Sequence, residues 1–343
     1  MTRPPDLRWR LADDNGGQGA LFDQEVERHI GTGEFRGMEF LHVNARRFIN
    51  EVPKASHMAF RWTINAYRGC SHACSYCFAR PTHEYLGMNL GEDFDRRIVV
   101  KVNAVERVRA ELSPGRWAGD HIAMGTNTDP YQRCEGKYRL TQGIVGELAS
   151  AGNPFSILTK STLILRDLDL LVDAARHTPV RVNFSIGTLD DDVWRMSEPG
   201  TPRPQRRIEA VARLNEAGVP CGVLVAPVLP GISDAPEQLD AVVKACVEAG
   251  ARSITPLLLH LRTGVREHYL EWLAGARPDL LERYRSLYPR AYAPTTTQND
   301  LAATIRALVT GHGGRSARPA EARVVTPRRR RPVAEASQLQ LGL

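Results

Sequence analysis

The sequence predicts an α/β protein built on a parallel sheet with right-handed crossovers. Short β-prone runs alternate with helix-period stretches about six times from residue 60 onward, the pattern that places helices over a parallel sheet. The chain has 343 residues, 42% hydrophobic and 24% charged, enough for a large core. That length suits about two ordinary domains or one barrel-type α/β domain. The same composition excludes collagen, a coiled coil and disorder throughout. No run of about 18 apolar residues is present, so no membrane span is expected. The start, Met1-Thr2-Arg3-Pro4-Pro5-Asp6-Leu7-Arg8, lacks the apolar stretch of a signal peptide, so a cytoplasmic protein is expected.

In chain order, residues 1–57 read as an N-terminal extension, packed on the main domain or partly mobile. Asp13-Asp14-Asn15-Gly16-Gly17 is a loop signal, and Phe22 to Arg28 is expected to form a short helix. Residues 58–310 read as the core domain. Its strands are expected at Phe60–Tyr67, His121–Gly125, Phe155–Thr159, Val180–Ile186, Cys221–Ala226 and Ser253–Leu259, the last weakened by Pro256. The clearest helix carries Leu239, Val242, Val243, Cys246 and Val247 on one face. Others begin near Val102, Val105 and Val108, and near Ile208, Val211 and Ala212. Gly152, Gly218 and Gly250 precede strands and read as helix C′ residues, not as phosphate loops. Strands stop after Pro289, Gln298 to Val309 forms a last helix, and residues 311–343 read as a disordered Arg-rich tail. No repeat underlies the pattern.

Charge is unevenly placed. The chain holds 45 basic and 39 acidic residues, net +6, and residues 311–343 hold seven Arg and two Glu, net +5. The first 310 residues are therefore nearly neutral, which argues against a body that coats nucleic acid.

Of six cysteines, Cys70, Cys74 and Cys77 fall within eight residues, a metal-site pattern rather than a disulfide framework. The spacing C-x3-C-x2-C sits in the loop after the first expected strand. Three thiolates can hold three irons of a [4Fe–4S] cluster and leave the fourth iron open to a small molecule. The alternative is structural zinc, which needs a fourth ligand such as His72 or His83 and normally a second, distant C-x2-C pair, absent here.

The motif Cys70-Ser71-His72-Ala73-Cys74-Ser75-Tyr76-Cys77 resembles that of the radical S-adenosylmethionine (SAM) superfamily. Further words narrow the resemblance: Asn65-Ala66-Tyr67-Arg68-Gly69-Cys70, Gly125-Thr126-Asn127-Thr128-Asp129-Pro130-Tyr131-Gln132, Leu158-Thr159-Lys160 and Glu198-Pro199-Gly200-Thr201-Pro202. Together they resemble the spore photoproduct lyase-related, DNA repair photolyase-like branch, over roughly residues 60 to 290. The resemblance implies a partial (β/α)6 TIM-like barrel. It implies a [4Fe–4S] cluster on Cys70, Cys74 and Cys77 and SAM as cofactor. One electron would then cleave SAM to methionine and a 5′-deoxyadenosyl radical, which takes hydrogen from a substrate. A flavodoxin- or ferredoxin-like electron donor is implied as well. Two departures are small: Ala66 stands where the family usually has Pro, and Ala73 where it has Gly. A third concerns mechanism. The lyase has a hydrogen-donor cysteine just after strand two, where this chain has none; the nearest is Cys134.

Carried over by position, Tyr76 precedes the third cysteine and its backbone would meet adenine. Lys160 would pair with the cofactor carboxylate, and Ser185 would bond its ribose or carboxylate. Thr126, Asn127, Glu198 and Arg207 complete the expected cofactor side. Asp129, Gln132, His260 and Arg262 are substrate-side candidates, although Asp129-Pro130 is also an ordinary turn signal. Cys134 is the candidate hydrogen donor, while Cys221 and Cys246 read as core. The substrate is expected to be nucleic acid or nucleotide-like; a protein, a metabolite, or a non-catalytic metal-stabilised DNA-binding module are the rivals. Arg328–Arg331 could meet DNA phosphates. Gln338-Leu339-Gln340-Leu341-Gly342-Leu343 and Gln18-Gly19-Ala20-Leu21-Phe22 loosely resemble replication-clamp peptides.

Overall fold

The computed structural model describes residues 26–53 and 58–314. The arginine run, both clamp-like peptides and nearly all of the basic tail lie outside these residues.

The chain opens with β1 (Glu27–Ile30) and β2 (Glu39–Val43), paired antiparallel. This corrects the expected helix from Phe22 to Arg28, whose described part runs into β1. A segment that short gains little from local helix formation, and pairing with β2 outweighs it. β3 (Asn50–Glu51) follows, then β4 (Trp62–Ile64) and β5 (Tyr67–Arg68). The single strand expected over residues 60–67 is thus two. Between them, the Asn65 amide bonds the Thr63 and Thr126 hydroxyls at 3.0 and 3.2 Å, and the chain steps from one sheet to the other. After α1 (Glu92–Arg96), β6 (Arg97–Lys101) pairs parallel to β2 and antiparallel to β5. The result is a four-stranded sheet, β1-β2-β6-β5.

From α2 (Ala104–Glu111) the alternation is regular: β7 (Ile122–Met124), α3 (Glu135–Tyr138), α4 (Leu140–Ser150), β8 (Phe155–Thr159), α5 (Leu168–His177), β9 (Val180–Ser185). It continues with α6 (Asp191–Ser197), α7 (Pro204–Glu216), β10 (Cys221–Val228), α8 (Pro236–Glu248) and β11 (Ile254–Leu258). Three helices close the chain, α9 (Val265–Ala276), α10 (Leu281–Leu287) and α11 (Thr295–Gly311). The second sheet has the order β11-β10-β9-β8-β7-β4-β3. Its neighbours pair in parallel, except β3, which runs antiparallel to β4 at one edge. Six parallel strands with helical crossovers form an open (β/α)6 arc, the partial barrel that the family resemblance implies.

Residues on both sheets share one core, where Phe40, Leu41 and Phe48 pack with Ile64, Val99, Ile157 and Val223. A second cluster joins α9 and α10 to the mouth of the arc. Tyr269, Leu273, Tyr284 and Tyr288 pack there with Leu229, Leu259, Cys74 and Tyr76. The C-terminal helices thus press on the cysteine loop.

Candidate active site

The cysteine loop leaves β5 at Gly69 and is pinned from several sides. Cys70 N donates to Phe94 O at 2.9 Å. Gln132, fully buried, donates to Gly69 O and accepts from Ser71 N, both at 3.0 Å. Ser75 N donates to Ser197 O and Gly200 N to His72 O, both at 3.0 Å. A Cβ on Gly200 would lie 2.2 Å from Ser71 O, so only glycine permits this approach. Arg80 is 1% exposed, and its Nε and Nη2 both donate to Cys74 O, at 3.2 and 2.9 Å. Its Nη1 donates to Leu90 O and Gly91 O, and Nη2 pairs with Asp95. One buried guanidinium therefore ties the middle cysteine to α1 and the turn before it.

The three cysteines line a cavity of about 180 Å³. Tyr76 and Phe78 join them from the loop. Opposite are residues at or just after the carboxyl ends of the strands: Gly125, Asn127 and Asp129 after β7, Lys160 after β8, Ser185 ending β9, Pro227 in β10 and Leu258 ending β11. Strand ends converge here as they do in barrel enzymes.

A charged network backs the cavity. Lys160 Nζ donates to Ser185 Oγ at 2.6 Å, pairs with Glu198 at 3.1 Å and lies 5.6 Å from the Tyr76 ring centre. Ser185 Oγ passes the chain on to Ala226 O at 2.6 Å. Glu198 accepts from the Tyr76 hydroxyl and pairs with Arg207 at 2.5 Å. Arg207, also buried, donates to Pro202 O and Ser185 O. Burial alone would push the Glu198 carboxyl up; Arg207 and Lys160, with hydrogen bonds from Tyr76 and Arg207, outweigh it and hold it at about 2. Burial pushes all three cysteine thiols up, and Asp129 and the other two cysteines add to the effect on Cys70. Three thiolates so close together, two of them buried and Cys77 half-buried, therefore need a positive partner.

The radical SAM superfamily model matches residues 64–245. The chain belongs to the radical SAM superfamily. It is 45% identical over 297 residues to an uncharacterized protein of Mycobacterium tuberculosis, covering 86% of this chain and 87% of that one. It is 30% identical over 180 residues to spore photoproduct lyase of Bacillus subtilis, covering 51% of this chain and 47% of the lyase. In fold it resembles spore photoproduct lyase complexed with dinucleoside spore photoproduct, with a TM-score of 0.59 at 17% identity over 81% and 80% of the two chains. Superfamily membership implies radical chemistry with SAM and an iron–sulfur cluster.

The structure gathers nine of the residues singled out from sequence on this one cavity: Cys70, Cys74, Cys77, Tyr76, Asn127, Asp129, Lys160, Ser185 and His260. Glu198 and Arg207 stand one layer behind, on Tyr76 and Lys160. Several expected contacts change character. Asp129 already accepts from Tyr131 N, Thr159 Oγ1 and Lys160 N, and meets His72 at 3.4 Å, so its carboxylate works as a joint between β7, β8 and the cysteine loop. Gln132 holds that loop and does not line the cavity. Thr126 bonds Thr63 and Asn65. Arg262 is exposed and off the cavity wall. Cys134 is the main correction: it lies fully buried in the core beside Tyr67 and Glu135, away from the cavity. The sequence reading assigned no role to Arg80 or Asn65. Arg80 stands three residues after Cys77, but its partners are mostly backbone carbonyls, which leave no trace in sequence.

Proposed function

We propose that Cys70, Cys74 and Cys77 hold a [4Fe–4S] cluster, and that the protein cleaves SAM reductively to take hydrogen from a nucleic-acid or nucleotide-like substrate. When bound, these groups supply one-electron cleavage of the SAM carbon–sulfur bond, giving methionine and a 5′-deoxyadenosyl radical. The observation that carries the reading is that all three cysteines of the C-x3-C-x2-C word line one cavity. Sulfurs sharing a single zinc at about 2.3 Å lie roughly 3.8 Å apart. Among the described residues, the His/Cys/Asp/Glu set whose ligand atoms all fall within 4.8 Å is Glu27, His29 and His42, not the cysteines. Wider sulfurs suit a group of several metal ions.

The chain's own residues then divide the work. Lys160, steered by Glu198 and Ser185, offers its ammonium to the cofactor carboxylate. Arg207 fixes Glu198, and the Tyr76 backbone meets the adenine edge. At the mouth, Phe78 and His260 rings lie 5.8 Å apart, and Tyr292 stacks on His260 at 5.5 Å. Such a wall favours flat, unstacked bases. The substrate class also draws support from the lyase relatives, one of them solved with a dinucleoside photoproduct. A flavodoxin- or ferredoxin-like protein would supply the electron.

The test supplies deuterated DNA, RNA or nucleotides to the reduced, cluster-loaded protein with ordinary SAM. Deuterium in the released 5′-deoxyadenosine is the expected result. Continued cleavage with no deuterium from any of these would discard the substrate class and leave a protein or metabolite.

A further inference from the structure

A second cavity, of about 280 Å³, opens away from the cysteines. Its walls come from residues 46–49, the second half of α2 and the loop that leads into β7. Trp117 on that loop packs edge-on at 5.1 Å against Trp62, the first residue of β4. Both mark the amino ends of strands whose carboxyl ends lead to the cysteine cavity, so the two cavities lie at opposite ends of the arc.

Four arginines line it, Arg46, Arg47, Arg107 and Arg116, against one acid, Glu111. The Glu111 carboxylate is already committed, accepting from Phe48 N at 2.9 Å and Ile49 N at 2.8 Å. Arg107 donates one nitrogen to Arg46 O, while its Nε is buried without a hydrogen-bond partner. Trp117 is fixed by its indole N–H to Asn153 Oδ1 at 2.7 Å and forms a rigid wall. Like-charged guanidiniums sharing a cavity repel one another, and a bound polyanion reverses the sign of that term. Guanidinium forks match phosphate oxygens in geometry as well as charge. The volume holds a phosphate and a small group bearing it.

We propose that this arginine-lined cavity binds a phosphate group, carried either by a nucleic-acid backbone or by a small phosphorylated metabolite. The test titrates the full-length chain with inorganic phosphate at constant ionic strength and follows thermal stabilisation. Arg47 and Arg116 are exposed, so the double variant Arg47→Gln/Arg116→Gln should fold normally, as a circular dichroism spectrum would verify. Saturable stabilisation of the wild type, weakened about tenfold or more in the variant, is expected. A short thymidine oligonucleotide and glycerol 3-phosphate then compete with phosphate. Displacement by the oligonucleotide assigns the site to a nucleic-acid backbone, and displacement by glycerol 3-phosphate alone assigns it to a small ligand. Phosphate stabilisation that fails to saturate, or that is equal in the variant, would overturn the proposal.

Discussion

Glu198 stays ionised in a place closed to water because Arg207 and Lys160 face it from two sides. Glu198→Gln would leave both cations buried without a counter-charge, at a cost of about 3–5 kcal/mol at neutral pH. The pH dependence has a definite sign. The folded carboxyl titrates at about 2, below its ordinary 4.5, so its stabilisation is complete above 4.5 and is lost as pH falls toward 2. Urea melts should show the gap between wild type and variant narrowing across that window. Ala73 has φ of +52°, a left-handed conformation that costs an alanine about 1 kcal/mol, so Ala73→Gly should raise stability by that order. Cys134 does not line the cavity, so Cys134→Ala should leave 5′-deoxyadenosine yield unchanged; a fall would restore that sulfur to the chemistry. At this scale, sequence words singled out Tyr76, Lys160 and Glu198, which the structure brings to the cysteine cavity or directly behind it. They missed Arg80, because a charged residue reads as surface until its carbonyl partners are seen. Arg80→Gln should lower iron retention by the loop, measured as iron per chain, more than it lowers the melting temperature of the iron-free protein.

The elements most legible in sequence are the six parallel strands. Alternate residues turn into the core, so runs such as Phe155–Thr159 and Val180–Ser185, with Phe155, Ile157, Val180, Val182 and Phe184 buried, stand out against polar helices. The smaller sheet was less legible for equally physical reasons. β5 has two residues, β6 follows α1 without a turn, and β1 is exposed along its length, so none shows a full period. Yet Leu41 in β2 is wholly buried in the core shared with the barrel strands. Leu41→Ala should therefore destabilise by about 2–5 kcal/mol and keep a single unfolding transition. Two separate transitions would mean that the small sheet folds on its own.

Across the whole molecule, chemistry gathers at the two ends of the arc. The cysteines occupy the end where strands finish, and four arginines the end where they begin. The first set was legible because its ligands are adjacent in sequence. The second was not, since residues 46, 47, 107 and 116 meet only through the pairing of β3 and β7 with β4. Among the described residues no helix is long and apolar enough to cross a membrane. The claim on which the rest depends is that the cysteine cavity generates a radical from SAM. The most direct measurement reconstitutes the protein anaerobically with iron and sulfide, reduces it with dithionite, adds SAM and quantifies 5′-deoxyadenosine, with Cys74→Ala beside it. Wild type should form 5′-deoxyadenosine and the variant none. Wild type that binds zinc in place of iron, or forms no 5′-deoxyadenosine with an intact cluster even when nucleic acid is supplied, would contradict it.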